Sequence, residues 1–267
     1  IATGANHALE IDPSGTFTND ATTGVLRAQG AAGLLLQPGT FELNGTAIEV
    51  MDGSKLVVNA ATLQYGAIDA GDGDGQVLLE NSPTLTGMTI ATDTGVTQAN
   101  NESVYITNHL TNHGTWNLED EADAGIDTLL RFGFSQTLGG TGELVLSDMS
   151  GNEVRMTSTA YTLTHGENHT IRGAGKILDN SGNMLNNGTI LATGANNPLE
   201  IDPVSSFTNA ATTGVLRTEG AAGLVLSAGN YYLNGTAIEV MDGSKLEVRS
   251  GVYLHSGQLD GSDGDGQ

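Results

Sequence analysis

The sequence predicts an all-β parallel solenoid, a β-helix whose coils of about 22 to 27 residues stack into a rod. Three observations carry that expectation. Residues alternate apolar and polar over short stretches such as Ala47, Ile48, Glu49 and Val50, the pattern of a strand with one buried face. Gly, Asn, Thr or Asp interrupts nearly every window, so no long helix can form. An apolar anchor, a turn built on Gly or Asn-Gly and an alternating strand then recur at a short period along the whole chain.

The recurring unit is visible in FELNGTAIEV (Phe41–Val50), LTGMTIA (Leu85–Ala91), LTNHGTWNL (Leu110–Leu118) and LGGTGELVL (Leu138–Leu146). It continues in IRGAGKIL (Ile171–Leu178), MLNNGTILA (Met184–Ala192) and YLNGTAIEV (Tyr232–Val240). At roughly 3.3 Å per residue, about 22 residues make a perimeter near 70 Å, which suits three short strands and their turns. Stacked about 4.8 Å apart, some eleven or twelve coils would give a rod of roughly 55 Å. A tandem array of β-sandwiches would need linkers and seven distinguishable strands per domain, and neither is evident.

A longer repeat lies over the short one. LNGTAIEVMDGSKL at Leu43–Leu56 returns unchanged at Leu233–Leu246. ATGANHALEIDP (Ala2–Pro13) returns as ATGANNPLEIDP (Ala192–Pro203), and ATTGVLR (Ala21–Arg27) returns at Ala211–Arg217. The chain therefore reads as one continuous β-helix over 1–267, with a module of about 190 residues in 1–190 and the start of a second copy in 191–267. About eight coils per module are expected, with Asn44, Asn187 and Asn234 at equivalent corners where stacked amides can form ladders.

Composition narrows function. The 267 residues hold 31 acidic and 9 basic side chains, a net charge of −22. So few cations exclude a nucleic-acid interface and argue against an anionic membrane surface. With no cysteine, neither a disulfide scaffold nor thiolate chemistry is available. The longest apolar run, around Leu34, Leu35 and Leu36, is far too short to span a membrane. Ile1 follows neither a Met nor a basic segment, so no signal peptide is read. Both ends fall in mid-coil without a polar cap, which predicts an excerpt of a longer repetitive protein or a subunit stacking end to end on itself.

The phrases NNGTILATGANNPLEID and HTIRGAGKILDNSGNMLNNGTI resemble the coils of large secreted bacterial β-helix proteins, namely autotransporter passenger domains and filamentous-haemagglutinin-like adhesins. That resemblance implies a right-handed parallel β-helix, extracellular or on a cell surface, serving as a structural fibre or adhesin shaft. It transfers no catalytic or binding residue. Other parallel β-helices act on polysaccharides, as lyases, hydrolases or phage tailspikes, so a carbohydrate-acting or carbohydrate-binding rod is the alternative.

No catalytic residue is expected. Chemistry that used Asp52 or Asp72 would recur at Asp242 or Asp263, so a unique site belongs in Val77–Thr189. That segment holds the acidic run Glu119, Asp120, Glu121, Asp123 and Asp127, expected as a solvated loop on one of the longest coils. The candidate metal ligands are Asp69, Asp72 and Asp74 of DAGDGDG, returning as Asp260, Asp263 and Asp265. They are hard oxygen donors among flexible glycines, a chemistry suited to calcium, although the spacing is not that of an EF-hand. The pairs His109/His113 and His165/His169 have a spacing that suits zinc on a helix but is not expected to converge at a strand and turn. Trp116 stands where Ile190 stands in its own unit and is expected in the wall. The sequons at Asn44, Asn101, Asn168, Asn187 and Asn234 carry no expectation beyond turn formation.

Overall fold

In the computed structural model all residues are described except 72–73, 122–126, 262–265 and 267. Among the described residues there is no helix; 32 strands follow one another, and every strand pairing is parallel. The pairings sort into three stacks, one for each side of the coil. The first face is a 12-stranded sheet running from Leu9–Ile11 to Gln258–Asp260. The second begins at Thr16–Thr18 and the third at Leu26–Ala28. Two long strands, Thr84–Ile90 and Ser103–Asn112, bend round a corner at Gly87 and Asn108, both with positive φ, and join the second and third stacks. The chain is a parallel β-solenoid of about 11 turns.

Alternation sets the inside and outside. On the first face Leu34, Leu56, Val77, Val96, Trp116, Leu144, Ile171 and Ile190 stack one above another and are all buried. Burying each such side chain contributes about 1.5–3 kcal/mol, which is why register holds along the bore. Trp116 sits between Val96 and Leu144 on the face that carries Ile190, as expected of a wall residue.

The coils are more variable than the sequence period implied. Paired first-face residues are 19 apart from Val77 to Val96 and 28 apart from Trp116 to Leu144. The corners absorb the difference, and the longest coil is the one holding the acidic run.

The long repeat does not span a whole number of coils. Leu9–Ile11 lies on the first face, whereas its counterpart Leu199–Ile201 lies on the second, stacked between Gly175–Ile177 and Leu224–Leu226. The same displacement holds throughout. The pair Leu26↔Ile48 is on the third face and its repeat Leu216↔Ile238 is on the first. The module therefore spans eight and one third coils, not eight, and its second copy is turned by one face. Pairing inside each copy survives the turn: Phe17 and Phe41 lie 5.6 Å apart, and Phe207 and Tyr231 lie 5.8 Å apart.

This displacement also corrects the corner assignment. Asn187 and Asn234 sit between the third and first faces, while Asn44 sits between the second and third. The three do not stack. Each instead donates to a main-chain carbonyl of the preceding coil, Asn44 to Asn19, Asn187 to His165 and Asn234 to Asn209, at 2.9–3.1 Å. The exposed amide ladder is built from other residues: Gln37 donates to Glu10, Asn59 to Gln37 and Asn81 to Asn59, at 2.6–2.8 Å across consecutive coils.

Candidate functional site

The candidate calcium ligands are only partly within the described residues. Asp69 is exposed and its Oδ1 accepts the Gly71 N–H at 3.1 Å. Asp74 Oδ1 accepts the Gly53 N–H at 2.7 Å, tying its turn to the preceding coil. Asp260 ends the last strand, exposed. Asp72, Asp263 and Asp265 lie outside the described residues. Among those described, no group of three His, Asp or Glu side chains is placed to hold a metal ion.

Of the acidic run, Glu119, Glu121 and Asp127 are exposed, and Asp123 lies outside the described residues. Asp120 is half-buried, and its Oδ2 accepts the Gly151 N–H of the next coil at 3.2 Å.

The segment present once does form a groove of about 510 Å³, lined by Asp93, His113, Thr141, Glu143 and Thr170. Glu143 is held there by Arg172, with contacts of 2.8 and 3.1 Å. That guanidinium keeps its carboxyl below the usual range, so it stays charged and makes a poor proton donor. His113 Nδ1 lies 3.0 Å from Thr141 Oγ1. No Phe, Tyr or Trp is among the described residues that line the groove.

A denser charged cluster lies on the second face. Glu153 is buried and meets Arg155 at 3.0 Å and Lys176 at 3.3 Å, and Asp179 meets Lys176 at 3.3 Å. Burial, with the nearby Asp179 charge, pushes the Glu153 carboxyl up against the pull of the two cations. Burial, Glu200 and Asp179 likewise raise Asp202. The arrangement sets Arg155 and Lys176 among carboxylates that strand pairing forces together.

The bore contains a polar relay that spacing alone did not suggest. His165 and His169, on either side of the Gly166 corner, both turn inward and are buried, so this pair does converge. His165 Nε2 lies 3.0 Å from His169 Nδ1, His165 Nδ1 lies 2.6 Å from Asn186 Oδ1, and Asn112 Nδ2 lies 3.1 Å from His169 Nε2. Asn186 donates to Asn209 at 2.7 Å and Asn209 to Thr236 at 2.8 Å. Both imidazoles fit this chain as neutral rings protonated at Nδ1, every donor facing an acceptor. His109 is exposed and takes no part. The relay satisfies buried polar groups, and among the described residues no third metal ligand joins it.

One carboxylate works at long range. Asp148, at a corner between the first and second faces, receives the loop 195–197 from two coils further on. Its Oδ2 accepts from Ala195 N, Asn196 N and Asn196 Nδ2 at 3.1, 2.9 and 2.7 Å, and its Oδ1 accepts from Asn197 N at 2.9 Å. Desolvation pulls this carboxyl up, but the N–H groups of Asn197 and Asn196 and their neighbours outweigh it and the pKa falls. Nothing in the local sequence marks Asp148, because its partners are 47 to 49 residues away.

Compared with protein-family models, curated proteins and solved structures, the chain matched none.

Proposed function

We propose that the chain is a structural rod, a segment of an extracellular or cell-surface fibre or adhesin shaft, with self-association along the rod axis and no catalysis. The observation that supports this reading is the unbroken first-face stack from Leu9 to Asp260. Outward Arg side chains are tied to the neighbouring coil, Arg27 to Glu49 on the third face and Arg217 to Glu239 on the first. Such exposed pairs add little stability, on the order of 0–1 kcal/mol each, but they keep like charges from facing one another in a strongly acidic chain. The resemblance to autotransporter passengers and haemagglutinin-like adhesins supports the bacterial, secreted setting.

The carbohydrate-acting alternative rests on the groove at Asp93, His113 and Glu143, which lies outside the repeated part. Immunogold labelling of intact source cells with antibody to this chain separates the readings from an intracellular role: surface filaments should be decorated. Label confined to the cell interior overturns the fibre reading. Depolymerisation of acidic or neutral polysaccharides by the purified chain, lost on Glu143→Gln, would replace it with the enzyme.

A further inference from the structure

The internal duplication provides a direct comparison: the same sequence appears once with a coil stacked against it and once without. Leu199 is fully buried beneath Gly175–Ile177, whereas Leu9 is 42% exposed. Phe207 is buried against Met184, whereas Phe17 is only half-buried. The loop that receives Asp148 repeats as well, since Gly194-Ala195-Asn196 is identical to Gly4-Ala5-Asn6.

The first-copy loop already has the receiving conformation. A Cβ on Gly4 would lie 2.3 Å from His7 O and one on Gly194 would lie 2.1 Å from Asn197 O, so both loops close equally tightly. Their anchors also match: Ala32 N donates to Gly4 O at 3.1 Å, and Ala222 N to Gly194 O at 3.1 Å. Yet Ala5, Asn6 and His7 are exposed, with main-chain N–H groups in the arrangement that binds a carboxylate. Asn19 likewise donates to Thr46 at 2.8 Å as Asn209 does to Thr236, leaving Asn19 Oδ1 where Asn209 Oδ1 accepts from Asn186.

From these repeated contacts we infer that the edge formed by Gly4–His7, Leu9–Ile11 and Thr16–Thr18 is a preformed seat for the closing coils of a second copy of the module, with that copy's Asp148 docked on the 5–7 loop. The occupant's register follows from the internal interface. Its Gly175–Ile177 would pair with Leu9–Ile11 and its Met184 and Leu185 with Phe17 and Thr18. In the present chain those closing coils are already covered by residues 191–267, so the seat takes the closing coils of another copy of the module. This inference rests on the reading of the chain as a rod of repeated modules, yet its test is independent of where the rod resides.

The experiment is hydrogen exchange on the whole chain and on a chain extended by a copy of residues 77–190 joined directly to Ile1. In the unextended chain, amides of 5–7 and 9–18 should exchange at least about 100-fold faster than those of 195–197 and 199–208. The extension should bring the two sets to within about tenfold, and Asp148→Ala in the added copy should release 5–7 alone. Asp148→Ala in the unextended chain provides a second reading that needs no extension: exchange at 195–197 should rise to the rate of 5–7. Exchange at 5–18 unchanged by a folded extension, or a 195–197 loop indifferent to Asp148→Ala, would overturn the inference.

Discussion

His165 Nε2 and His169 Nδ1 lie 3.0 Å apart in the bore, and the two rings meet nearly edge to face at 85°. A single proton occupies that contact. A second there would set N–H against N–H, and one on His169 Nε2 would face the Asn112 amide N–H, whose orientation Glu143 O and Gly114 N fix, so the contacts favour two neutral rings.

The first prediction concerns acid. Burial lowers His165 to about 4, and burial together with the His165 and His113 charges lowers His169 to about 3. In the unfolded chain both would titrate near 6.5. The unfolded state thus takes up protons first, and stability present above pH 6.5 should drain away as pH falls from there towards about 4 and then about 3. The loss should be on the order of 3 kcal/mol per ring, reported by denaturation at stepped pH. Imidazole NMR should show both rings neutral and protonated at Nδ1 at pH 5.5; a charged ring in the folded protein at that pH refutes the relay.

Leu9→Ala and Leu199→Ala make the same change in the same local sequence. Leu199 is fully enclosed, and its truncation should cost about 2–5 kcal/mol, whereas the exposed Leu9 should lose under about 1 kcal/mol. Denaturant titration of the two variants side by side decides it, and equal costs would mean the first coil is as enclosed as the interior ones.

Two glycines with left-handed backbone should respond unequally to alanine. Gly45 has φ +83° with open space round a Cβ, so Gly45→Ala should cost about 1 kcal/mol for the backbone alone. At Gly173, φ +125°, the added Cβ would lie 2.0 Å from Leu146 O of the coil below. Gly173→Ala should cost about 3 kcal/mol or more, read by thermal melting. A tolerated Gly173→Ala would show that the coils are less closely stacked there.

Trp116 offers a test of the wall. Its ring is enclosed but its Nε1–H has no partner among the described residues, and such a buried donor costs about 1–3 kcal/mol. Trp116→Phe removes the donor along with some volume and should stay within about 1 kcal/mol of the parent, while Trp116→Ala should lose about 3–5 kcal/mol. Similar losses for both would mean that the indole N–H is satisfied after all.

The period, the parallel stacking and the wall positions were legible because alternation and turn residues are local signals. Trp116 was placed by comparison with Ile190 alone, and the structure puts both on one buried face. What escaped the sequence depends on closure of the coil. A corner may hold one residue, Ala174, or the long acidic run after Leu118, and no local signal says which face a strand will join. That is why Asn44 and Asn234, identical in context, occupy different corners. It is also why His165 and His169 were read as diverging: a turn between two inward positions brings them together, whereas a strand would separate them. Asp148 was invisible for the same reason, since its partners arrive two coils later.

The extra third of a coil has a consequence for anything that touches the rod from the side. In an array of such modules, successive copies of one surface pattern would point in three directions 120° apart, and the original direction would return only after three modules. That is 25 coils, or about 120 Å at 4.8 Å per coil. A receptor recognising the pattern would find its next copy in line at that spacing, too far for two neighbouring small domains to sit side by side on one flank. The same module would instead offer lateral contacts evenly around the axis, so cross-linking through it favours an open mesh over a flat sheet.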